Sequence, residues 1–432
     1  MSKSSGITKR MKQYYVVLNK YKKSNVVLSS TLNNEKIEIT RKNNIYIVNS
    51  LNQYVEFINN LMLGYTVDSN NTKYRRKFIF RGFNNIYLIK SKLFNQELFN
   101  LNNIDLSSID FNKSKARDNI VNNDIIHIKK FEENGCLKLK GFTNSIDLVA
   151  AAEHYGITTR YIDWSHSPLV STLFAIHDEP GIYLSDDEKY YCLMIRDYRN
   201  ASLILKDLWV KPDNDEAFIK TNQISIKYAI QIKELEEIFN YRKELEEISI
   251  DIRKDFKTKN YILMEMKNDF KNAIEIYLSQ KEIDLDKANK AKELIFKIYS
   301  YFEKIYSITN INNMSSNGNN EIAALMTRKF IALGSKLFLE TNISNERLRN
   351  QRGLFEIDCF DSIIDQFKDD SNMFLLIKAS MKKELIKYID RMGINYYILT
   401  DEPEQCSDVI NRTLNHEYSF SDKIEYSERK KK

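Results

Sequence analysis

The chain of 432 residues holds only 4 prolines, 11 glycines, 4 cysteines, 5 histidines and 2 tryptophans. Cys136, Cys192, Cys359 and Cys406 stand far apart with no CxxC pair, so neither a disulfide framework nor a cysteine metal cluster is expected, and free thiols in a reducing compartment are. Met1 to Lys12 is basic but has no apolar core of a signal peptide, and no run of about 18 apolar residues occurs, so the sequence predicts a cytoplasmic protein without a membrane partner. GxGxxG, GxxxxGK[ST], HExxH and GxSxG are all missing, which removes the anchors of the dinucleotide-fold, P-loop, zinc-protease and serine-hydrolase readings.

A 43% apolar share with 12% aromatics is that of a folded chain, and 65 Lys+Arg against 59 Asp+Glu leave a net charge of only +6. Bulk attraction to nucleic acid is not indicated by that balance. The length suits two or three structural units, since domains commonly run about 100–200 residues.

Glu153 to Ala175 is the densest stretch, with His154, His166, Trp164 and Pro168 inside it. Asn144 to Tyr155 predicts a helix ended by Gly156, which puts His154 at a helix C-terminus where the dipole favours its charged form. Tyr161 to Trp164 predicts a short strand after a loop, and Ser167-Pro168 an N-cap and first turn of a second helix. Earlier, Lys77 to Phe83 predicts a strand with Phe78 and Phe80 on one face and Arg81 on the other. Arg81 needs an anionic partner there, either a structural carboxylate or a ligand phosphate, and Gly82 allows backbone or ligand to come close.

Around this stretch, Asn25–Leu28, Lys36–Thr40 and Asn44–Val48 predict strands, as does Tyr14–Leu18, and Ser50 caps a helix through Met62. Residues 91 to 135 are helix-prone, and His127 there has no ligand set beside it. Tyr191 to Ile195, apolar on both faces, predicts a central strand. From about Ser225 to Tyr306, apolar residues recur at helical spacing with no Pro or Gly, predicting an antiparallel helical hairpin or bundle. That segment is expected to be dispensable for the core and to serve as an oligomer or partner surface. Asn310 to Asn320 reads as the return linker, followed by a helix, strands at Lys336–Glu340, Leu354–Ile357 and Met373–Ile377, a helix from Met381 to Met392, a last strand at Tyr396–Leu399 and a basic tail. The fold class is α+β: a mixed or antiparallel sheet core with flanking helices and an inserted helical segment. The expected divisions are a small β unit at 1–43, a core at 44–222, the insertion at 223–310, the rest of the core at 311–412 and the tail at 413–432.

Phe80-Arg81-Gly82, His154-Tyr155-Gly156, Thr159-Arg160, Asp163-Trp164, Ser167-Pro168 and Phe174-Ala175 resemble the FRG domain family, and Arg347 to Phe355 resembles its R-x-x-x-Q-x-G-x-F element. Thr158, Glu153 and Ser165 stand where proline, glutamine and threonine are common. The resemblance implies a bacterial or phage-type protein of defence or toxin settings. The order of Arg81-Gly82, the middle block and a late polar segment is also similar to the ADP-ribosyltransferase plan. That likeness implies NAD as nucleotide ligand, a protein or nucleic-acid acceptor and no metal. It assigns Arg81 to the phosphates, His154 and Arg160 to the pocket, Asp163 to orienting one of them, and Trp164 or Tyr155 to stacking on a ring. Ser167 and Arg347 become ligand contacts, and Gln351 or Glu356 the late polar group at the ribose. Two other readings stay open: a ligand- or nucleic-acid-sensing module signalling through the helices, and a buried ionic network of Arg81, Asp163 and Arg160 that fixes the fold.

Overall fold

The computed structural model describes residues 18–32, 35–63, 65–67, 73–75, 77–100, 115–134, 145–185, 188–197, 202–206, 224–248, 270–281, 283–309, 316–333, 336–340, 346–358, 362–395 and 399. The basic tail and all of the last strand except Leu399 lie outside these residues, as does the expected strand at Tyr14–Leu18 except for Leu18, which is helical. No helix among the described residues is long and apolar enough to cross a membrane.

The chain opens with β1 (Lys22–Lys23), β2 (Val26–Leu32), β3 (Glu35–Arg41) and β4 (Ile45–Val48). Helix α1 (Leu51–Met62) starts where Ser50 accepts the Gln53 N–H, as its type and position require. After β5 (Tyr65–Val67) and β6 (Lys73–Arg75), which pair only with each other, comes β7 (Phe78–Phe83). Helices α2 (Lys92–Asn100), α3 (Lys115–Asn134) and α4 (Ser145–His154) lead to β8 (Tyr161–Ser165) and α5 (Pro168–His177). Then follow β9 (Ile182–Ser185), β10 (Glu188–Asp197) and β11 (Ser202–Lys206). The helical segment consists of α6 (Ile224–Glu247), α7 (Phe270–Ser279), α8 (Leu285–Thr309) and α9 (Ser316–Leu333). The last part holds β12 (Lys336–Glu340), α10 (Glu346–Gln351), β13 (Gly353–Ile357), α11 (Ile363–Lys368), β14 (Asn372–Lys378) and α12 (Lys382–Arg391). The fold is α+β, as the alternation of short strands and helical stretches predicts. One local expectation is corrected: α9 already begins at Ser316, inside the stretch read as linker.

The main sheet runs β1-β4-β14-β10-β7-β8-β13-β12-β11, with the β2–β3 hairpin attached through β9. It is mixed: β14/β4 and β11/β12 are parallel, and the other pairs antiparallel. Because side chains alternate across a strand, each strand feeds two cores. Phe78, Phe80, Leu193, Ile195, Leu375 and Ile377 pack on one face against α1, α5 and α12. Ile79, Cys192, Met194, Trp164, Phe374 and Leu376 pack on the other with α3, α4 and the helices from α6 to α9. The central β10 is buried from Tyr190 to Arg196, and each fully buried apolar side chain in it stabilises by roughly 1.5–3 kcal/mol.

The segment from Ile224 to Leu333 is continuous with that second core. Tyr228, Ile232, Leu235 and Ile238 of α6 are buried among residues of α3, α4 and β8. At its start, Ile224 and Ser225 donate their backbone N–H groups to Glu132 of α3, at 3.2 and 2.9 Å. A carboxylate at a helix N-terminus satisfies donors that lack intrahelical partners and complements the dipole.

Candidate active site

The sheet parts between β7 and β8. Their only paired position is Phe80 opposite Ser165, whereas β8 remains fully paired with β13 on its other side, Tyr161 to Ser165 against Ile357 to Gly353. Beyond that point the gap is bridged by a side chain. Arg81 donates from Nη1 to the Asp163 carbonyl oxygen at 2.9 Å and from Nη2 to the Leu88 carbonyl oxygen at 2.5 Å. A planar fork of donors suits this task, because it reaches two acceptors from one stem.

Arg81 is half-buried, and its Nε is buried without a hydrogen-bond partner. Burial pulls its guanidinium below the ordinary value, while the carboxylates of Asp163, Glu356, Glu153 and Asp358 push it back up, Asp163 most strongly. Gly82 has a packing reason to be glycine. A Cβ there would lie inside contact distance of the Ser171 carbonyl oxygen, so α5 rests directly on the β7 backbone.

Three residues of the densest stretch do what their local sequence predicts. Gly156 sits at φ +80° and closes α4, with its N–H on the Glu153 carbonyl at 3.0 Å and the Ile157 N–H on that of Ala152 at 3.0 Å. Ser167 caps α5 by accepting the Val170 N–H, and Pro168 lies in the first turn. Ser167 thus carries a structural task at the place where a ligand contact was expected. His154 ends α4, but its side chain lies outside the described residues, as does that of Arg347 in α10.

Arg160 and Trp164 differ from expectation. Arg160 is fully buried instead of lining a pocket. Its Nη1 meets Glu236 Oε1 of α6 at 2.6 Å, its Nη2 the Asp358 carbonyl oxygen at 2.9 Å, and its backbone N–H Asp124 Oδ1 at 3.1 Å. Arg117 reaches the same Glu236 at 3.2 Å. Burial opposes the charge of Arg160, yet Glu236 and Asp124 together hold its guanidinium above the ordinary value. Trp164 is buried, donates Nε1 to Glu356 Oε2 at 2.7 Å, and has the Arg196 guanidinium 5.3 Å from its ring centroid. A ligand ring would have to displace that cation. Tyr155, by contrast, is 57% exposed, with its ring stacked on Phe131 at 6.1 Å.

The late residues are engaged as well. Gln351 donates its side-chain amide to the Leu399 carbonyl at 2.9 Å, and its backbone carbonyl accepts the Ser165 hydroxyl at 2.6 Å. Arg352 follows at φ +50°, a costly conformation for a residue with a Cβ, held by the His166 N–H on its carbonyl at 3.0 Å. Glu356 is buried between Trp164 and Arg196, whose Nη1 lies 3.5 Å from Oε1.

What remains at the fork is a cluster of titratable groups. Asp163 is exposed on β8. Glu153, 7% exposed at the end of α4, accepts the Thr159 hydroxyl, and Lys92 of α2 lies 3.6 Å from its other oxygen. Burial raises the Glu153 carboxyl to about 7, the charge of Asp163 adds to that, and Lys92 and Thr159 hold it down. Neither Glu153 nor Lys92 has a sequence signature of its own; Glu153 differs from its surroundings only as an acid where the FRG pattern commonly has glutamine. Two carboxylates and two cations beside the gap between β7 and β8 can bind a polar ligand and move protons.

No curated protein and no solved structure matches the chain. The FRG domain family model matches residues 76–181, the segment that runs from β7 through α5 and contains Arg81, Glu153, Arg160 and Asp163. By that match, and by the motif residues just placed, the chain carries an FRG domain over residues 76–181.

Proposed function

We propose that the protein is an ADP-ribosyltransferase-like enzyme that takes NAD as substrate at the fork between β7 and β8 and passes ADP-ribose to a protein or nucleic-acid acceptor. The observation that carries this reading is the parting of the two strands after one paired position, with a guanidinium on one wall and an exposed carboxylate on the other. Breaking the bond between nicotinamide and ribose builds an oxocarbenium-like cation. A carboxylate beside it lowers that barrier, and a fixed arginine suits the diphosphate. In this reading Asp163 stabilises the cation, Arg81 offers the diphosphate the Nη hydrogens not spent on the two carbonyls, and Tyr155 lies against a ring. Glu356 and Gln351 are held by Trp164, Arg196 and Leu399, so they support the walls and leave the chemistry to Asp163. The setting would be that of a bacterial defence or toxin effector, with the helices of residues 225–306 as an oligomer or partner surface.

The test is incubation of the purified protein with NAD and candidate protein or RNA acceptors, followed by mass spectrometry of nicotinamide and acceptor. Nicotinamide release is expected from the wild type, lowered roughly 100-fold or more by Asp163→Asn. A wild type that releases none at any acceptor sinks the reading. The tie between Arg160 and Glu236 favours a second reading, a sensing module that signals through its helices, because it joins the FRG segment to α6. That reading predicts changed amide exchange in α6 on adding NAD, without nicotinamide release.

A further inference from the structure

We infer that Glu153 is the group that takes the proton from the acceptor, and that the acceptor is therefore one with a proton to give, such as water or a hydroxyl group, and not a carboxylate. This rests on the transferase reading of the fork. As the acceptor oxygen bonds to C1′ of the ribose, the bond from C1′ to the nicotinamide nitrogen breaks. Its electron pair goes to that nitrogen and cancels its positive charge, and the hydroxyl proton passes to the Glu153 carboxylate. No electron is gained or lost overall.

Placement carries the assignment. Glu153 lies in the last turn of α4, which the turn at Gly156 closes, its own carbonyl accepting the Gly156 N–H at 3.0 Å. One carboxylate oxygen is fixed by the Thr159 hydroxyl. The other lies 3.6 Å from the ammonium of Lys92, whose own side chain is 59% exposed, so this cation is what stands between the buried carboxylate and solvent. The charged groups acting on Glu153 come from three elements packed around it: Asp163 from β8, Lys92 from α2 and Arg81 from β7. Burial and Asp163 place its titration near 7, where a proton acceptor is present in useful amount and still basic enough to act. A carboxylate acceptor would bring a third negative charge beside Glu153 and Asp163 and has no proton to give.

The test uses the full chain, NAD and water as acceptor, with nicotinamide release followed from pH 5 to pH 9. The wild-type kcat should rise about tenfold per pH unit up to near pH 7 and then level. Glu153→Gln, which keeps an acceptor for Thr159, should lower the plateau by about 100-fold, remove the acid limb and leave KM for NAD within about twofold. Lys92→Ala removes the cation that holds the carboxyl down and should move the acid limb to higher pH. A wild-type plateau and limb in Glu153→Gln would overturn the inference while leaving the transferase reading intact. If Glu153→Gln does not fold, an unmoved limb in Lys92→Ala overturns it instead. A wild type silent toward NAD overturns both.

Discussion

Arg160 Nη1 lies 2.6 Å from Glu236 Oε1, and this contact ties the middle of the FRG segment to α6, 76 positions away. Both groups are buried, and Glu236 is shared with Arg117 at 3.2 Å. Glu236→Ala takes the shared carboxylate from two arginines and leaves the fully buried Arg160 with Asp124 as the remaining acid near it. Breaking one partner of a buried pair costs roughly 3–5 kcal/mol, so urea unfolding of this variant should show a loss of that size. The same contact argues that the core depends on the helical segment, against the expectation that it is dispensable. A fragment of residues 76–181 alone should fail to give a cooperative melting transition, because Arg160, Asp124 and Glu132 then lose their partners in α6.

Arg81→Lys keeps the charge and loses the fork of donors. An ammonium on that stem cannot serve both the Asp163 and Leu88 carbonyls in the same geometry, and losing one of these solvent-accessible hydrogen bonds costs about 0.5–1.5 kcal/mol. A drop in stability of that order, read by denaturant midpoint, would separate the wall-building task of Arg81 from its proposed ligand contact. An unchanged midpoint would mean that β7 and β8 do not depend on the bridge.

Gly82→Ala forces a methyl group into the carbonyl of Ser171, a backbone atom that cannot swing aside. Either β7 or α5 must move, at a cost of at least about 2 kcal/mol. Thermal melting should show it plainly. A variant as stable as the wild type would contradict the close seat of α5 on the strand.

Asp124 gives a pH-dependent prediction. Burial raises its carboxyl from 3.8 to about 6, against the pull of Arg160 and the Tyr228 hydroxyl. A carboxyl raised in the folded state binds more protons folded than unfolded between those values. Its contribution is therefore full below about pH 4 and is lost as pH rises through about 6. Relative to Asp124→Asn, the wild type should lose on the order of 3 kcal/mol between pH 4 and pH 7. Parallel stability curves for the two proteins would refute the shift.

Local chemistry was legible wherever a residue acts on its near neighbours. Ser50, Ser167 with Pro168 and Gly156 each mark a helix end through a hydrogen bond or dihedral within four positions, so type and spacing suffice to place them. The run from Tyr191 to Ile195, apolar on both faces, likewise marked a central strand, which is β10. Glu153, Lys92, Glu236 and Arg196 were not legible, because nothing around each in the chain distinguishes it from a solvated charge. Their roles arise from burial beside groups far away in sequence.

The sequence by itself determined the α+β class, most strand and helix positions and the motif residues of the FRG segment, since these follow from periodicity, caps and local residue type. The tertiary structure decided what those motif residues do. It put Arg160 in the interior by supplying Glu236, covered the Trp164 ring with Arg196, seated α5 on Gly82, and left Asp163 exposed beside the parted strands with Glu153 buried near it. A charge becomes a wall, a latch or a proton carrier according to its dielectric surroundings and its partners, and those are fixed only when distant segments pack.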